Sequence, residues 1–280
     1  MNCSKAELFP LLDKWQNETD AVSAETYRAY MRDGDTRSLA SLERLESAFE
    51  RVVREALATE ITDTPAVWSI YNMGYLVKTR ESFFSIDIIH RRAMELADKL
   101  DFALITHNHG DHCDLDVYKA LNASGKTVIS NFLDNYGATR DKIKNSDGGG
   151  FVMGEKTFRI KDVEIATSLV DHNAYLVDFT TAFEIRVGEW MMYHTGDCGI
   201  ADKLKTRWGR PDVWTFFPGC GVNVPKALTK INARKVVFGH LWELGHNSGR
   251  LTADLIKRAF KKAQGVNAAV NVAFWGDRIS

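Results

Sequence analysis

The chain of 280 residues lacks a strong charge of either sign: 36 Lys and Arg stand against 37 Asp and Glu, a net charge of -1. That balance argues against a protein that grips long nucleic acid by bulk charge, while leaving room for a small anionic substrate held by a few local cations. No apolar run approaches the roughly 20 residues needed to span a bilayer. The first residues, Met1-Asn2-Cys3-Ser4-Lys5, carry no charged segment followed by an apolar one, so no export signal is expected and the cytoplasm is the expected compartment. Cysteine is scarce: the four residues, Cys3, Cys113, Cys198 and Cys220, form no CxxC pair, which excludes the usual structural zinc knuckle. Reduced thiols acting as small buried fillers are the expectation, with Cys113 and Cys198 lying inside the motifs described below.

What is present is a globular composition, 45% apolar, enough for one well-buried domain and an extension. Residues 1 to about 60 read as helix. Leu8, Leu11, Leu12 and Trp15 recur at helical spacing, as do Leu39, Leu42, Leu45, Phe49, Val52 and Val53, with a break at Asp33-Gly34-Asp35. An amphipathic extension of this kind must dock on something, as a packing cap, a dimer contact or a wall of a substrate pocket. Character changes at Thr64-Pro65, which sets two expected units: a helical extension over 1–62 and a second domain over 63–280.

In the second unit, strands are expected at Val67–Tyr71, Tyr75–Lys78, Ser82–Ile88, Phe102–Thr106 and Thr127–Ser130, with helices at Arg91–Lys99 and Leu115–Asn122. After a break at 145–150, strands dominate: Thr157–Ile160, Val163–Ser168, Tyr175–Phe179, Phe183–Val187 and Trp190–Tyr193. Alternation returns with strands at Val213–Phe217, Lys235–Phe238 and Val270–Phe274. Strand–helix units at both ends of a strand-rich centre imply an α/β fold, an αββα sandwich rather than a doubly wound sheet.

The decisive segment is Thr106-His107-Asn108-His109-Gly110-Asp111-His112, directly after the apolar run Phe102-Ala103-Leu104-Ile105. Three of the chain's eight histidines and an aspartate fall within six positions at the expected C-terminal end of a strand. Neutral imidazole and carboxylate are the ligands that divalent zinc, manganese and iron accept. A tight loop can send His107 and His109 to one side and Asp111 and His112 to the other, which would serve two ions.

HxHxDH after an apolar strand resembles the signature of the metallo-β-lactamase superfamily, and further motifs of that family follow in order. Asp87 closes Phe83-Phe84-Ser85-Ile86, His172 follows Leu169-Val170-Asp171, Asp197 ends Tyr193-His194-Thr195-Gly196-Asp197, and His240 ends Val236-Val237-Phe238-Gly239-His240. The resemblance covers about residues 65 to 280. It implies one divalent ion on His107, His109 and His172, a second on Asp111, His112 and His240, and Asp197 bridging them. Zinc is the first expectation for both, with manganese or iron also accommodated. Asp87 is implied as a hydrogen-bonding support; His194, just before the Thr-Gly-Asp turn, reads from its position as a strand residue or a neighbour rather than a ligand, and His90 as a surface helix residue.

The Thr195–Gly199 and Asp212–Gly221 stretches resemble the loops of the branch that holds ascorbate-6-phosphate lactonase and the N-acyl-phosphatidylethanolamine-hydrolysing phospholipase D. Phe-Pro-Gly-Cys-Gly here replaces the more usual Pro-Ile-Gly-Gly. The resemblance implies a metal-dependent, dinuclear hydrolase of the phosphodiesterase or lactonase type. Hydroxide would be generated from water whose pKa falls from about 16 to about 7 on two metals, with a small phosphate ester or lactone as substrate. A nuclease or cyclic-nucleotide phosphodiesterase is the alternative, and a non-catalytic metal-binding interaction module a further one. Asp111 is the candidate to orient the nucleophile or take its proton. His246, with Glu243 one helical turn before it, is the candidate acid for the leaving group, the alternative being a pair at a helix N-terminus that supports the metal ligands from outside. Tyr71, Asn72 and Tyr75 are expected near the substrate and Trp242 as a pocket wall, and the extension makes a homo-oligomer conceivable.

Overall fold

A computed structural model of the protein describes residues 5–130, 155–245, 252–266 and 269–280. His246, Cys3 and the 145–150 break lie outside the described residues.

Three helices open the chain: α1 (Lys5–Asp20), α2 (Ala24–Asp33) and α3 (Ala40–Ala58). Ser23 caps α2 by accepting from the Thr26 amide, and Gly34 ends it in the left-handed region at φ 75°. In α3 the buried Leu42, Leu45, Phe49, Val52 and Ala56 make one helical stripe, the face that docks.

Two sheets follow. The first joins β1 (Ala66–Ser69), β2 (Tyr75–Lys78), β3 (Phe83–Ile86), β4 (Phe102–Leu104) and β5 (Thr127–Ile129) in that spatial order. The second comprises β6 (Thr157–Ile160), β7 (Val163–Val170), β8 (Thr180–Val187), β9 (Trp190–His194), β10 (Val213–Phe216), β11 (Lys235–Phe238) and β12 (Ala269–Val272), running β12-β11-β10-β9-β8-β7-β6. Helix α4 (Leu115–Ala123) joins β4 to β5. Helix α5 (Val224–Ile231) precedes β11, and α6 (Ala253–Lys262) precedes β12.

Strand alternation builds the layers. Val77, Phe84, Ile86, Phe102 and Leu104 from the first sheet meet Ile165, Phe183, Ile185, Met192 and Val237 from the second in one buried cluster between the sheets. Their neighbours of opposite parity, such as Leu76, Ala103 and Trp214, join a second cluster beneath the helices, with Leu12, Trp15, Leu45, Phe49 and Ile256. Helices therefore cover the outer faces of both sheets, the αββα arrangement expected. The extension belongs to that same cluster, so its helices and the sandwich share one core.

The parallel strands position the site. β3, β4 and β5 run parallel, as do β9, β10, β11 and β12. Their C-terminal ends deliver Asp87, His107, Asp197 and His240 to one rim of the sandwich, and β7 delivers His172 beside them.

Three local expectations fail, each to tertiary context. Arg91–Lys99 is not an α-helix but holds a single 3-10 turn over Ala93–Leu96. His90 is not on the surface: it is buried and stacked on Phe49 at 4.0 Å and 3°. Tyr175–Phe179 is not a strand. Asn173 Oδ1 accepts from the Tyr175 and Leu176 amides, at 2.9 and 3.0 Å, and curls the chain. Asp178 stands at φ 50°, and β8 begins only at Thr180.

Candidate metal centre

The loop after β4 is held from below by one carboxylate. Asp87, buried and at φ 45°, accepts from the Thr106 amide at 2.7 Å and the Thr106 hydroxyl at 2.6 Å. Its Oδ2 also lies 2.9 Å from His112 Nδ1 and 3.4 Å from His194 Nε2. Burial alone would raise its pKa, but the hydrogen bonds from His112 and His194 win and hold it well below the usual carboxylate range. An ionised Asp87 makes Nδ1 the protonated nitrogen of His112, so Nε2 turns its lone pair outward. Thr106 repeats the device: its hydroxyl is spent on Asp87, so Oγ1, 2.9 Å from His107 Nδ1, is left to accept that nitrogen's proton. Asp87 is thus the support expected of it.

Outward-facing ligand atoms converge. His107, His109 and His172 offer nitrogens within 4.8 Å of one another, and so do the ligand atoms of Asp111, His112 and His240. These are the two sets implied for two ions. His107 Nε2 stands 3.1 Å from His109 Nδ1. Asp197 lies between the sets, 3.3 Å from His112 and from His240 and 3.6 Å from His172.

The fit to cations rests on what these atoms lack. Asp111 Oδ1, His112 Nε2, Asp197 Oδ1 and His240 Nε2 are buried without a hydrogen-bond partner, although His112 Nε2 lies 3.3 Å from Asp197 Oδ1 and His240 Nε2 3.2 Å from Asp111 Oδ2. Buried polar atoms left unpaired cost about 1–3 kcal/mol each, and several aimed at a common space are explained by a group that would sit among them. Hard carboxylate oxygen and imidazole suit zinc, manganese or iron.

Electrostatics agree. Burial pushes His240 down, but Asp197 and Asp111 lift it to about 9. His112 is raised for the same reason, the Asp197 and Asp111 carboxylates outweighing desolvation. Burial raises Asp111 and Asp197, but imidazoles win and hold both carboxyls low. Positive charge is therefore strongly favoured at this point. His107, by contrast, is pushed well down, chiefly by burial, and stays neutral and ready to ligate.

Backbone fit is tight around the candidate ligands. Gly196 stands at φ 48°, and a Cβ there would lie 2.8 Å from Thr106 Oγ1. At Gly199 a Cβ would meet the His172 carbonyl oxygen at 2.3 Å. Only glycine fits either position.

Among the residues expected near substrate, Tyr71 and Tyr75 are fully buried. Trp242 is interior as well, stacked on Trp15 at 5.1 Å, with its indole nitrogen donating to Gln16 Oε1 at 3.2 Å. Glu243 lies in irregular chain, not on a helix. It is buried, with its Oε1 taking the Gly245 amide and the Tyr71 hydroxyl at 3.3 Å. Asn72 proves to be a positioning residue: Nδ2 donates to the Asp111 carboxylate at 2.9 Å and backbone oxygen at 3.1 Å, while its carbonyl accepts from the His240 amide at 3.1 Å. His194 is a neighbour rather than a ligand, held by Thr215 at 2.7 Å.

Three features went unforeseen. Phe179 packs against His107, His109 and His172, at ring distances of 5.7, 5.2 and 6.0 Å. Phe217 stacks on His240 at 4.1 Å. Cys220 Sγ lies 4.0 Å from His172 Nδ1 and forms a third possible ligand group with His172 and Asp197. Burial pushes its thiol up. Cys198 is the buried filler expected.

Comparison with known proteins agrees with this geometry. The family model for the beta-lactamase superfamily domain matches residues 53–228. The chain belongs to this superfamily. A UPF0173 metal-dependent hydrolase of Caldivirga maquilingensis is 27% identical over 191 residues, covering 60% of this chain and 82% of that protein. One from Carboxydothermus hydrogenoformans is 30% identical over 109 residues, covering 38% of this chain and 47% of its own length. Among solved structures, the metallo-β-lactamase fold protein YhfI of Bacillus subtilis has a TM-score of 0.56 at 15% identity, covering 78% of this chain and all (100%) of its own. Igni18, a metallo hydrolase of Ignicoccus hospitalis, has a TM-score of 0.55 at 18% identity, covering 77% and 98%. The fold is the metallo-β-lactamase fold. No helix among the described residues is long and apolar enough to cross a membrane.

Proposed function

We propose that this protein is a dinuclear metal-dependent hydrolase of a small molecule, with a lactone or a phosphate ester as the scissile group. The reading places it in the branch of the lactonase and the phospholipase D named above, with residues 63–280 as the hydrolase domain and residues 1–62 as its helical extension. The observation that carries it is the set of buried, partnerless ligand atoms on Asp111, His112, Asp197 and His240, facing the His107, His109 and His172 group across Asp197. The relatives named metal-dependent hydrolases support it.

His107, His109 and His172 would hold one ion and Asp111, His112 and His240 the other, with Asp197 between them; zinc suits these donors, as do manganese and iron. Bound there, two such cations supply activated water near neutral pH and charge to oppose a developing oxyanion. The chain's own work is positional. Asp87 and Thr106 set the imidazole tautomers, Asn72 orients the Asp111 carboxylate, and Asp111 orients the nucleophile or takes its proton. Phe179 and Phe217 wall the site with apolar surface, which strengthens every charge interaction beside it by excluding water. His246 is assigned protonation of the leaving group, with Glu243 fixing the turn that precedes it.

The test is a hydrolysis panel on protein purified without chelator. It compares simple lactones, bis-p-nitrophenyl phosphate and cyclic nucleotides, with His109→Ala as control. Hydrolysis by the native chain, lost with metal content in His109→Ala, is the expected result. Undiminished turnover in that variant would refute the reading. Cleavage of cyclic nucleotides alone would move the assignment to a phosphodiesterase.

A further inference from the structure

The two most exposed large apolar side chains among the described residues lie on the loop that follows His172. Tyr175 is 93% exposed and Val177 57%. They lie three and five residues after the ligand His172 and just before Phe179, whose ring touches three ligand imidazoles.

This loop is not loose. Asn173 Oδ1 takes the Tyr175 and Leu176 amides, and the His172 amide donates to the Leu176 carbonyl at 3.0 Å. The Asp178 amide donates to Asp171 Oδ1 at 2.8 Å. Lys203 clamps both carboxylates, at 3.4 Å to Asp171 and 3.1 Å to Asp178. The next strand is tied to the metal loop by the Thr181 amide, which donates to the Thr106 carbonyl at 2.8 Å.

A loop fixed at this many points could have turned Tyr175 and Val177 inward, where burial of their apolar surface is favourable. Instead it presents them outward on a preorganised frame, so little ordering cost remains when something covers them. The same short loop leads to Phe179, which packs against the imidazoles of His107, His109 and His172, and this selects its occupant: a molecule whose polar end reaches the ions and whose apolar end lies along the loop.

We propose that loop 173–179 is a recognition surface for an apolar group of the substrate, an alkyl chain or aryl ring attached next to the scissile bond. The proposal rests on the hydrolase reading above and narrows it to substrates with such a group.

The test separates binding from turnover. Acetohydroxamate and octanohydroxamate share a metal-chelating head and differ only in the tail. Their Kd values are measured by calorimetry on metal-loaded native protein and on the double variant Tyr175→Ser/Val177→Ser, after metal content has been read for each. Native protein is expected to bind the octanoyl compound at least about tenfold more tightly, as burial of one or two such side chains implies. In the double variant the preference should fall to about twofold or less, with acetohydroxamate affinity and metal content unchanged. A preference that survives the double variant overturns the proposal, as does its absence from native protein. A dimer in gel filtration that the double variant abolishes, with the tail preference intact, reassigns the surface to a second copy of the chain. Protein that takes up no metal brings down the hydrolase reading as well, and the metal analysis reveals that before any hydroxamate is added.

Discussion

Replacing Asp87 with Asn keeps its volume and removes its charge. One oxygen still accepts the Thr106 amide at 2.7 Å. The other position becomes an NH2 facing donors, the Thr106 hydroxyl at 2.6 Å and His112 Nδ1 at 2.9 Å. Two charge-assisted hydrogen bonds are lost, each worth about 1.5–3 kcal/mol, so Asp87→Asn should cost about 3–6 kcal/mol. That is a large share of the 5–15 kcal/mol typical of a whole protein. The damage also reaches the ions. With no acceptor at Nδ1, His112 is free to place its proton on Nε2, and outer partners of this kind are worth about 10–100-fold in metal affinity. Urea unfolding followed by circular dichroism, with metal content determined on the same samples, reads both effects. A variant within about 1 kcal/mol of the native chain that keeps its full metal content would refute the reasoning.

Asn72→Ala should leave the fold standing but loosen Asp111 and the His240 backbone, so affinity falls about tenfold or more for the ion of the Asp111, His112 and His240 group while the three-histidine group is spared; stepwise metal titration separates the two. Burial lowers His90 to about 3, below its unfolded value of about 6.5. The folded chain excludes that proton, so the His90 contribution is fully present above pH 6.5 and is lost at up to about 1.4 kcal/mol per pH unit as pH falls from 6.5 towards 3. His90→Gln should flatten the fall in stability between pH 6.5 and 4.5 by one proton, and denaturation at several pH values checks it. Trp15→Ala removes a ring packed on Trp242, Phe274 and Trp275, and should destabilise by about 3–5 kcal/mol, read by urea midpoint.

The metal-facing part of the site was legible because it is local. Three histidines and an aspartate fall within six positions after one strand, and the resemblance to the superfamily's motifs supplied Asp87, His172, Asp197 and His240. The helical extension was legible from its stripe, and the sandwich from its alternation of elements. What escaped depends on contacts between distant segments. Nothing near Asn72 in sequence announces that it holds Asp111, 39 positions away. The run Tyr175-Leu176-Val177-Asp178-Phe179 has the composition of a strand, and only the Asn173 turn and the positive φ of Asp178 override it. His90 is drawn inside by Phe49 of α3, and a bare turn around Cys220 gave no sign that it would lie against His172.

The central claim is that this rim of the sandwich holds two cations. Metal analysis of protein purified without chelator and dialysed against zinc tests it most directly. Two tightly held ions per chain, reduced in His109→Ala and again in Asp197→Ala, are the predicted result. A native chain that retains none, or one that binds equally well in both variants, would contradict it.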